Sequence, residues 1–312
     1  MNRLLHLLAP LALLSLLTGC IKETYEDCEW YTLTFSYEGE DATDIFAQRI
    51  SDVNLFIYDV NNRLVQTQHI DHEALQAMQG TKLNVENGTY RVVAIGNALS
   101  HTQINNYSAD DMSQNYLSHP NVERGGAVET NDAIFLGEKQ ITLPELQYAT
   151  EDITFRPTHT KVSYKVIVKE YEHPTQNLVT RIDERAFALK VKNLLPLMDF
   201  TGATFGDKIT YTPTLLPEEG SDDQEARFNI LRPQEWHDVE FELSDASTGE
   251  ILNTLLLKDF LVQYPQIDLN GDDEIHLPIE VHLHYRGSIC TDVTITIPDW
   301  MVNDVTPEYG TN

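Results

Sequence analysis

The chain has 312 residues and is strongly acidic: 49 Asp and Glu residues outnumber 21 Lys and Arg residues, giving a formal net charge of −28 at pH 7. With no basic stripe, the sequence argues against nucleic-acid binding, and its acidity argues against electrostatic attachment to anionic lipid. A hydrophobic content of 41% suffices for packed cores, and at about 100–200 residues per domain the length suggests two domains.

Residues 1–19 have the pattern of a signal peptide. Arg3 precedes an apolar run from Leu4 to Leu17, which is shorter than the roughly 20 residues that span a bilayer. Leu17-Thr18-Gly19-Cys20 resembles the bacterial lipobox, which implies cleavage after Gly19 and lipidation of Cys20. The alternative is an ordinary secretory signal with a cysteine near the cleavage point.

Residues 20–29 form a lipidated N-terminal linker in this interpretation. Lys22 followed by acidic residues is similar to the surface-export signal of Bacteroidetes lipoproteins, and a solvated acidic linker is the alternative. If Cys20 carries lipid, Cys28 and Cys290 remain, and outside the cytoplasm two thiols favour a disulfide. Two isolated thiols are the other interpretation.

Period-two alternation dominates the N-terminal domain predicted at 30–156. Strands are expected at 30–37, 53–60, 63–69, 90–95, 133–136 and 140–143, with a turn at Asn61-Asn62 and a short helix after Asp71. Residues 98–132 are polar, and a long excursion of this kind is typical of functional or mobile segments.

Alternation continues through the C-terminal domain predicted at 157–312. Its most regular strand is 276–285, and 291–297 is the last, before a polar tail that begins at Met301. Many short strands with Gly, Pro, Asn and Asp between them predict an all-β fold of sandwich domains.

Segments at the start, middle and end of the chain resemble one protein family. They are the lipobox, 53–59, 88–97, 228–232, 248–250, 272–275 and 295–300. Together they resemble the FimB-type minor fimbrial anchor lipoproteins of the Bacteroidetes fimbrillin superfamily. The resemblance implies two tandem transthyretin-like β-sandwich domains and a role in type V pili, whose subunits join by strand exchange.

The resemblance further implies a lipid-anchored, surface-exposed subunit that ends a pilus at the outer membrane. Its expected partners are fimbrial stalk or accessory subunits, the membrane through lipid, and a host or bacterial surface ligand in cell adhesion. The tail after Trp300 is either a donor strand or a frayed end; its lack of alternate apolar residues favours a frayed end.

Two polar clusters resemble metal sites. Asp268 to Glu274 begins like a calcium loop but has Asp273 where an EF-hand has Gly, so an acidic turn is the preferred interpretation. His276, Glu280, His282 and His284 share one strand face, as zinc ligands could, but a solvent-facing polar strand side needs no metal and is the preferred interpretation. We therefore predict no metal and no cofactor.

No catalytic motif occurs, so the chain is not expected to be an enzyme. The alternative to a fimbrial role is a surface glycan-binding lipoprotein, in which Trp236 and Trp300 would stack on sugar rings. Packing of both tryptophans inside the sandwiches is the preferred interpretation.

Overall fold

A computed structural model describes residues 31–39, 42–145, 148–170, 185–271 and 273–302. Strands dominate its N-terminal half, and the helices there are short. The elements of this half are β1 Tyr31–Ser36, α1 Phe46–Arg49, β2 Val53–Tyr58, β3 Leu64–Ile70, α2 His72–Ala77, β4 Gly80–Leu83, β5 Gly88–Gly96, β6 Gln103–Asn105, a 3₁₀ turn Met112–Gln114, β7 Tyr116–Ser118, β8 Phe135–Leu143 and β9 Ala149–Pro157.

The C-terminal half, from His159 onwards, is also built from strands. Its elements are β10 His159–Glu170, β11 Phe187–Leu194, β12 Leu197–Asp199, β13 Thr204–Phe205, β14 Ile209–Tyr211, β15 Leu216–Pro217, β16 Gln224–Leu231, β17 Glu240–Asp245, β18 Ile251–Leu256, α3 Leu257–Gln263, β19 Ile275–Arg286, β20 Ile289–Thr296 and α4 Asp299–Val302.

The N-terminal half is one bent sheet of seven strands in the order β3-β2-β5-β8-β9-β1-β4. Strand β8 pairs with β5 along its whole length but with β9 only at its first three residues, so the sheet folds over at β8. Gly137 lies at this fold, where a Cβ would stand 2.6 Å from the Ile153 side chain. The two edges then meet, and Gln68 Nε2 donates to Thr81 Oγ1 at 2.7 Å.

Strand β2 is buried on both faces, which explains its unbroken apolar sequence. Val53, Leu55 and Ile57 point into the core enclosed by the bent sheet. Phe56 and Tyr58 point outwards, into a second core. This second core draws residues from both halves of the chain: Phe56, Tyr58, Val93, Ile95, Met112, Leu117, Ile134, Leu136, Met198, Phe200 and Leu231.

The polar excursion at 98–132 forms the cover over this second core. Its strands β6 and β7 join β12 and β13 of the C-terminal half in a four-stranded sheet, with Leu197 opposite Ser118. The ring of Phe200 lies 4.8 Å from that of Phe56, and the Tyr58 hydroxyl donates to Asn115 Oδ1 at 3.0 Å. The excursion is thus part of the packing between the two halves. The composition-based expectation of a functional or mobile segment missed this structural role.

The C-terminal half is a sandwich of a five-stranded sheet, β15-β16-β10-β19-β20, and a four-stranded sheet, β14-β11-β17-β18. Strand β19 alternates as predicted, with Leu277, Ile279, Val281, Leu283 and Tyr285 buried on one face. Between the sheets, the Tyr164 and Phe241 rings stack at 5.9 Å. The prediction of an all-β sandwich fold is confirmed.

One local expectation, the two strands between 133 and 143, is qualified by the structure. The expected strands 133–136 and 140–143 merge into the single strand β8, which begins only at Phe135, because Gly137 permits a close approach and does not begin a turn. Strand β1 pairs in parallel with β9, and β10 in parallel with β19, pairings that local sequence patterns do not reveal. The boundary proposed at 156/157 stays a prediction; β9 ends at Pro157 and β10 begins at His159.

A polar contact joins the halves beside the second core. Glu274, just before β19, pairs with Arg49 at 3.5 Å and with Lys161 at 2.9 Å. His159 is fully buried beside it, with Nδ1 3.0 Å from the Ile134 carbonyl oxygen. Burial lowers the pKa of His159 to about 4, so the ring is neutral at pH 7 and Nδ1 donates to that carbonyl.

Candidate functional site

Strand β20 forms the longest free sheet edge in the described ranges. It pairs with β19 on one side, and no described strand pairs with its other side. Six of its eight residues are β-branched, and it contains no Lys, Arg or Pro; Asp292 is its one charged residue, and a register shift between Cys290 and Asp292 is its one irregularity. The Tyr264 hydroxyl donates to the Ile295 carbonyl at 3.3 Å, which shows that Ile295 directs its backbone groups to the free side.

The other edges of the C-terminal half are short or covered. Strand β15 has two residues, one of them Pro217. Strand β14 has three, and Tyr211 at its end bridges to Val128 from the excursion. Strand β18, the free edge of the opposite sheet, contacts β20. The open side of this sandwich is therefore the side where β18 and β20 meet.

A cleft of about 810 Å³ lies on the outward face of the same five-stranded sheet. Three central strands supply its floor in register, so that each residue of 160–166 in β10 has one neighbour on β16 and one on β19. The three rows across the floor are Asn229–Lys161–His276, Arg227–Ser163–Pro278 and Glu225–Lys165–Glu280.

Trp300 forms one wall of this cleft and is 63% exposed. The β19–β20 ladder ends at the pair Glu280 and Thr296, and just beyond it neither Pro278 nor Pro298 has an N–H to donate. The chain therefore leaves the sheet, and α4 carries Trp300 over the outward face. Its ring stacks against His276 with a centroid distance of 6.0 Å.

The two tryptophans weighed from sequence thus differ. Trp236 packs against the core of the C-terminal half and stacks on His237 at 4.3 Å, as the preferred interpretation expected. For Trp300 that interpretation was wrong, because the chain leaves the sheet at Pro298. The signal was in the sequence: Pro298, which has no N–H to donate to the β19–β20 ladder, is followed two residues later by an aromatic residue.

The acidic turn at 268–274 is held by protein groups. Asp268 Oδ1 accepts from the Asn270 backbone, and Arg232 donates to the carbonyls of Gly271 and Asp273. Glu274 is occupied by the cations described above. In the described ranges, which omit Asp272, no three metal-ligating side chains converge here or elsewhere.

The histidine face of β19 is satisfied by neighbouring strands. His276 Nε2 lies 2.9 Å from Ser163 Oγ, and His282 Nε2 lies 2.9 Å from Thr296 Oγ1. Glu280 Oε2 accepts from the same Thr296 hydroxyl at 3.3 Å. Burial lowers the pKa values of His276 and His282, which keeps both rings neutral at pH 7. These contacts fit a hydrogen-bonded polar face.

The cysteine predictions fall largely outside the described residues, which begin at Tyr31. Gly19, Cys20 and Cys28 lie before that point. Cys290 lies in β20, where burial raises the pKa of its thiol. Cys290 pairs with Tyr285, at the end of β19 that is far from the N-terminal half. Tyr31, the first described residue after Cys28, pairs with Ala149, at the end of β9 that is far from the C-terminal half. The Cys28–Cys290 bridge stays a prediction, and free-thiol counting would decide it.

No helix within the described ranges has both the length and the apolar character needed to cross a bilayer.

Solved structures with a similar fold come from Porphyromonas and Bacteroides species. The fimbrial anchor protein Mfa2 from Porphyromonas gingivalis is 15% identical and has a TM-score of 0.60, over 86% of this chain and 94% of its own. A candidate adhesin from Bacteroides ovatus is 16% identical with a TM-score of 0.69, over 87% and 93%. A protein from Bacteroides thetaiotaomicron described as a candidate polysaccharide-binding protein is 12% identical with a TM-score of 0.64, over 85% and 95%.

Comparison with curated proteins gives no match. The model of one family, the fimbrillin-A associated anchor proteins Mfa1 and Mfa2, matches residues 25–306, nearly the whole chain after the predicted signal peptide. The family resemblance seen in the sequence is therefore confirmed, and this chain belongs to the family of fimbrillin-A associated anchor proteins.

Proposed function

We propose that this chain is a lipid-anchored fimbrial subunit that attaches and ends a pilus at the outer membrane. It joins the neighbouring subunit by β-strand exchange and supports cell adhesion from the cell surface. Family membership supports the fimbrial role, and the lipobox at Cys20 supports the lipid anchor. The function is structural, and no catalytic step is assigned to it.

The observation that carries the strand-exchange proposal is the free edge of β20, with which no described strand pairs. An edge strand presents a row of free N–H and C=O groups, which a donor strand can satisfy by extending the sheet. In the eight-residue strand β20 every second residue turns its backbone groups to the free side, where the Ile295 carbonyl already accepts from the Tyr264 hydroxyl; the second free edge at β18 lies next to it. We assign β20 as the acceptor edge for a strand of the adjoining subunit.

A proline substitution can test this edge without breaking the β19 ladder. In an antiparallel strand, backbone groups alternate between the two sides, so Val293 faces the free side together with Ile295. Val293→Pro removes one outward N–H, a position where proline is tolerated in a folded edge strand. Val293→Thr keeps both the N–H and the β-branched shape and is the matched control.

The measurement is the yield of heat-resistant complex between this protein and a fimbrial subunit in detergent extracts of the native cells. We expect loss of the complex and shedding of fibres with Val293→Pro, and wild-type behaviour with Val293→Thr. Circular dichroism verifies that both variants are folded. A folded Val293→Pro protein that retains cell-bound fibres would show that β20 is not the acceptor edge.

The anchor itself is tested separately. Deleting the gene should release fibres from the cells or change their length, whereas unaltered, cell-bound fibres would refute the anchor function. Cys20→Ser should leave an unlipidated chain that no longer partitions with outer membranes. If Cys20→Ser fractionates with outer membranes as wild type does, attachment does not depend on that lipid.

A further inference from the structure

The cleft on the outward face of the five-stranded sheet is separate from the free edge of β20. Its volume of about 810 Å³ falls in the range of pockets that take small organic ligands, roughly 300–1,000 Å³. In the middle row of the floor, the short side chains of Ser163 and Pro278 lie side by side. Trp300 forms one wall, and Glu218 contributes to the lining.

Charges along the cleft are closer to balance than those of the whole chain, with three cations, Lys161, Lys165 and Arg227, and four carboxylates, Glu218, Glu225, Glu280 and Asp299. Lys165 pairs with Glu218 at 2.8 Å, Arg227 pairs with Glu225 at 2.9 Å, and Lys161 pairs with Glu274 just outside the lining. Each cation is thus neutralised by a neighbouring carboxylate, and Glu280, which accepts from the Thr296 hydroxyl, and Asp299 are the further carboxylates of the lining. A free anion would have to compete with these carboxylates, and at Glu218 and Glu225 a free cation would have to compete with the ammonium and guanidinium groups. An uncharged ligand meets neither competitor.

The same groups remain good hydrogen-bonding partners. The Arg227 side chain is 77% exposed, and its guanidinium has donors beyond those used by Glu225. Asn229 lines the same floor and offers both a donor and an acceptor. Closely spaced donors and acceptors suit a ligand that carries many hydroxyl groups, because each hydroxyl both donates and accepts. Hydrogen bonds from these hydroxyls to ionised side chains are stronger than bonds between two neutral groups.

Trp300 supplies an apolar surface beside these polar groups. His276 backs its ring, yet the side chain remains 63% exposed, so stacking on His276 does not cover it. The negative face of an aromatic ring attracts the weakly positive C–H edges of a flat ligand. A pyranose ring has this combination: C–H groups on one face and hydroxyls around its rim.

We propose that this cleft is a saccharide-binding site for neutral, hexose-based glycans, with Trp300 as the stacking platform. Arg227, Glu225, Asn229 and Glu280 bind the hydroxyl groups. This activity is independent of the pilus-anchor proposal, because it uses the outward face of the sheet and not the edge of β20.

The test is isothermal titration of the full-length protein in detergent with hexasaccharides of glucose, mannose and N-acetylglucosamine. Polygalacturonate serves as the anionic comparison. We expect binding of at least one neutral hexasaccharide, and an affinity that changes little with added salt. No binding of any neutral hexasaccharide at millimolar concentration, or tighter binding of polygalacturonate than of all of them, would overturn the proposal.

Tryptophan variants then locate the site. Trp300→Ala should weaken the binding about tenfold or more, and Trp300→Phe should recover part of it. Trp236→Phe, at the packed tryptophan, is the matched control and should bind as wild type does. Because Trp300 is largely exposed, its variants are expected to fold, which circular dichroism verifies. Unchanged affinity in Trp300→Ala would show that the glycan binds elsewhere.

Discussion

Two outward sheet faces of this molecule differ in whether other parts of the chain cover them. The outward face of β2 carries Phe56 and Tyr58 and is covered by the excursion and by the β12–β13 strands. The outward face of β10 and β19 carries lysine, serine, histidine and glutamate and is left as an open cleft. The difference shows how one sandwich architecture yields a fixed joint at one place and a solvated binding surface at another, according to which residues alternate outwards.

The largest expected effect is at the covered face. Phe200→Ala removes a buried ring that packs on Phe56 and leaves a cavity in the core shared by both halves. We expect a loss of about 3–5 kcal/mol in the free energy of unfolding, measured by urea denaturation. Phe205→Ala, at a 41% exposed ring in the same small sheet, should cost less than about 1 kcal/mol. Equal losses would mean that the shared core is not the main joint.

The buried histidine beside this joint gives the next effect. The folded-state pKa of His159 is about 4, below the roughly 6.5 of an unfolded chain. The unfolded state therefore binds the proton first, and the stabilisation present above about pH 6.5 is lost as the pH falls towards 4, by about 3 kcal/mol. Urea denaturation between pH 7 and pH 4 measures how the free energy of unfolding depends on pH. This dependence should be smaller in His159→Gln than in wild type, whereas His72→Gln, at an exposed site, should keep the wild-type dependence.

A single hydroxyl at the covered face gives a smaller effect. Tyr58→Phe removes the donor that satisfies the buried Asn115 Oδ1. We expect a loss of about 1–2 kcal/mol in the free energy of unfolding, because the amide oxygen is left without its donor. A neutral result would indicate that water or a side-chain rearrangement replaces the bond.

The smallest effect is expected on the open face. Arg227→Gln removes an ion pair with Glu225 from a side chain that is 77% exposed. Such pairs contribute little, so the change in unfolding free energy should stay within about 0.5 kcal/mol. Glycan affinity, in contrast, should fall. A large stability loss would show that the open face supports the fold, and would remove the contrast with the covered one.

Local sequence patterns predicted the strands well and their partners poorly. The alternation of β19, the turn at Asn61-Asn62 and the helix capped by Asp71 all follow from neighbouring residues, and the Asp71 side chain accepts from the Ala74 N–H at 2.9 Å. The parallel pairing of β1 with β9 joins residues more than 100 positions apart, and no local period encodes it.

The excursion shows why composition can mislead. Met112 and Leu117 are isolated apolar residues in a polar segment, yet both are buried in the shared core. They are covered by residues around Met198 and Phe200, far along the chain, so their role becomes visible only in three dimensions. Of the candidate sites, the sequence supplied Trp300 as a residue to weigh, whereas its exposure depended on where the β19–β20 ladder stops.

The parallel pairing of β1 with β9 has a mechanical consequence. Tyr31 lies at the start of β1, and β9 runs in the same direction towards the C-terminal half. For a subunit tethered through its N-terminal cysteine and pulled by a fibre attached to β20, tension enters β1 at Tyr31 and runs along the strand. The hydrogen bonds to β9 and β4 are then loaded together in shear, and do not open one after another as in a zipper. Such a connection resists sudden pulling far better than its equilibrium stability alone would suggest.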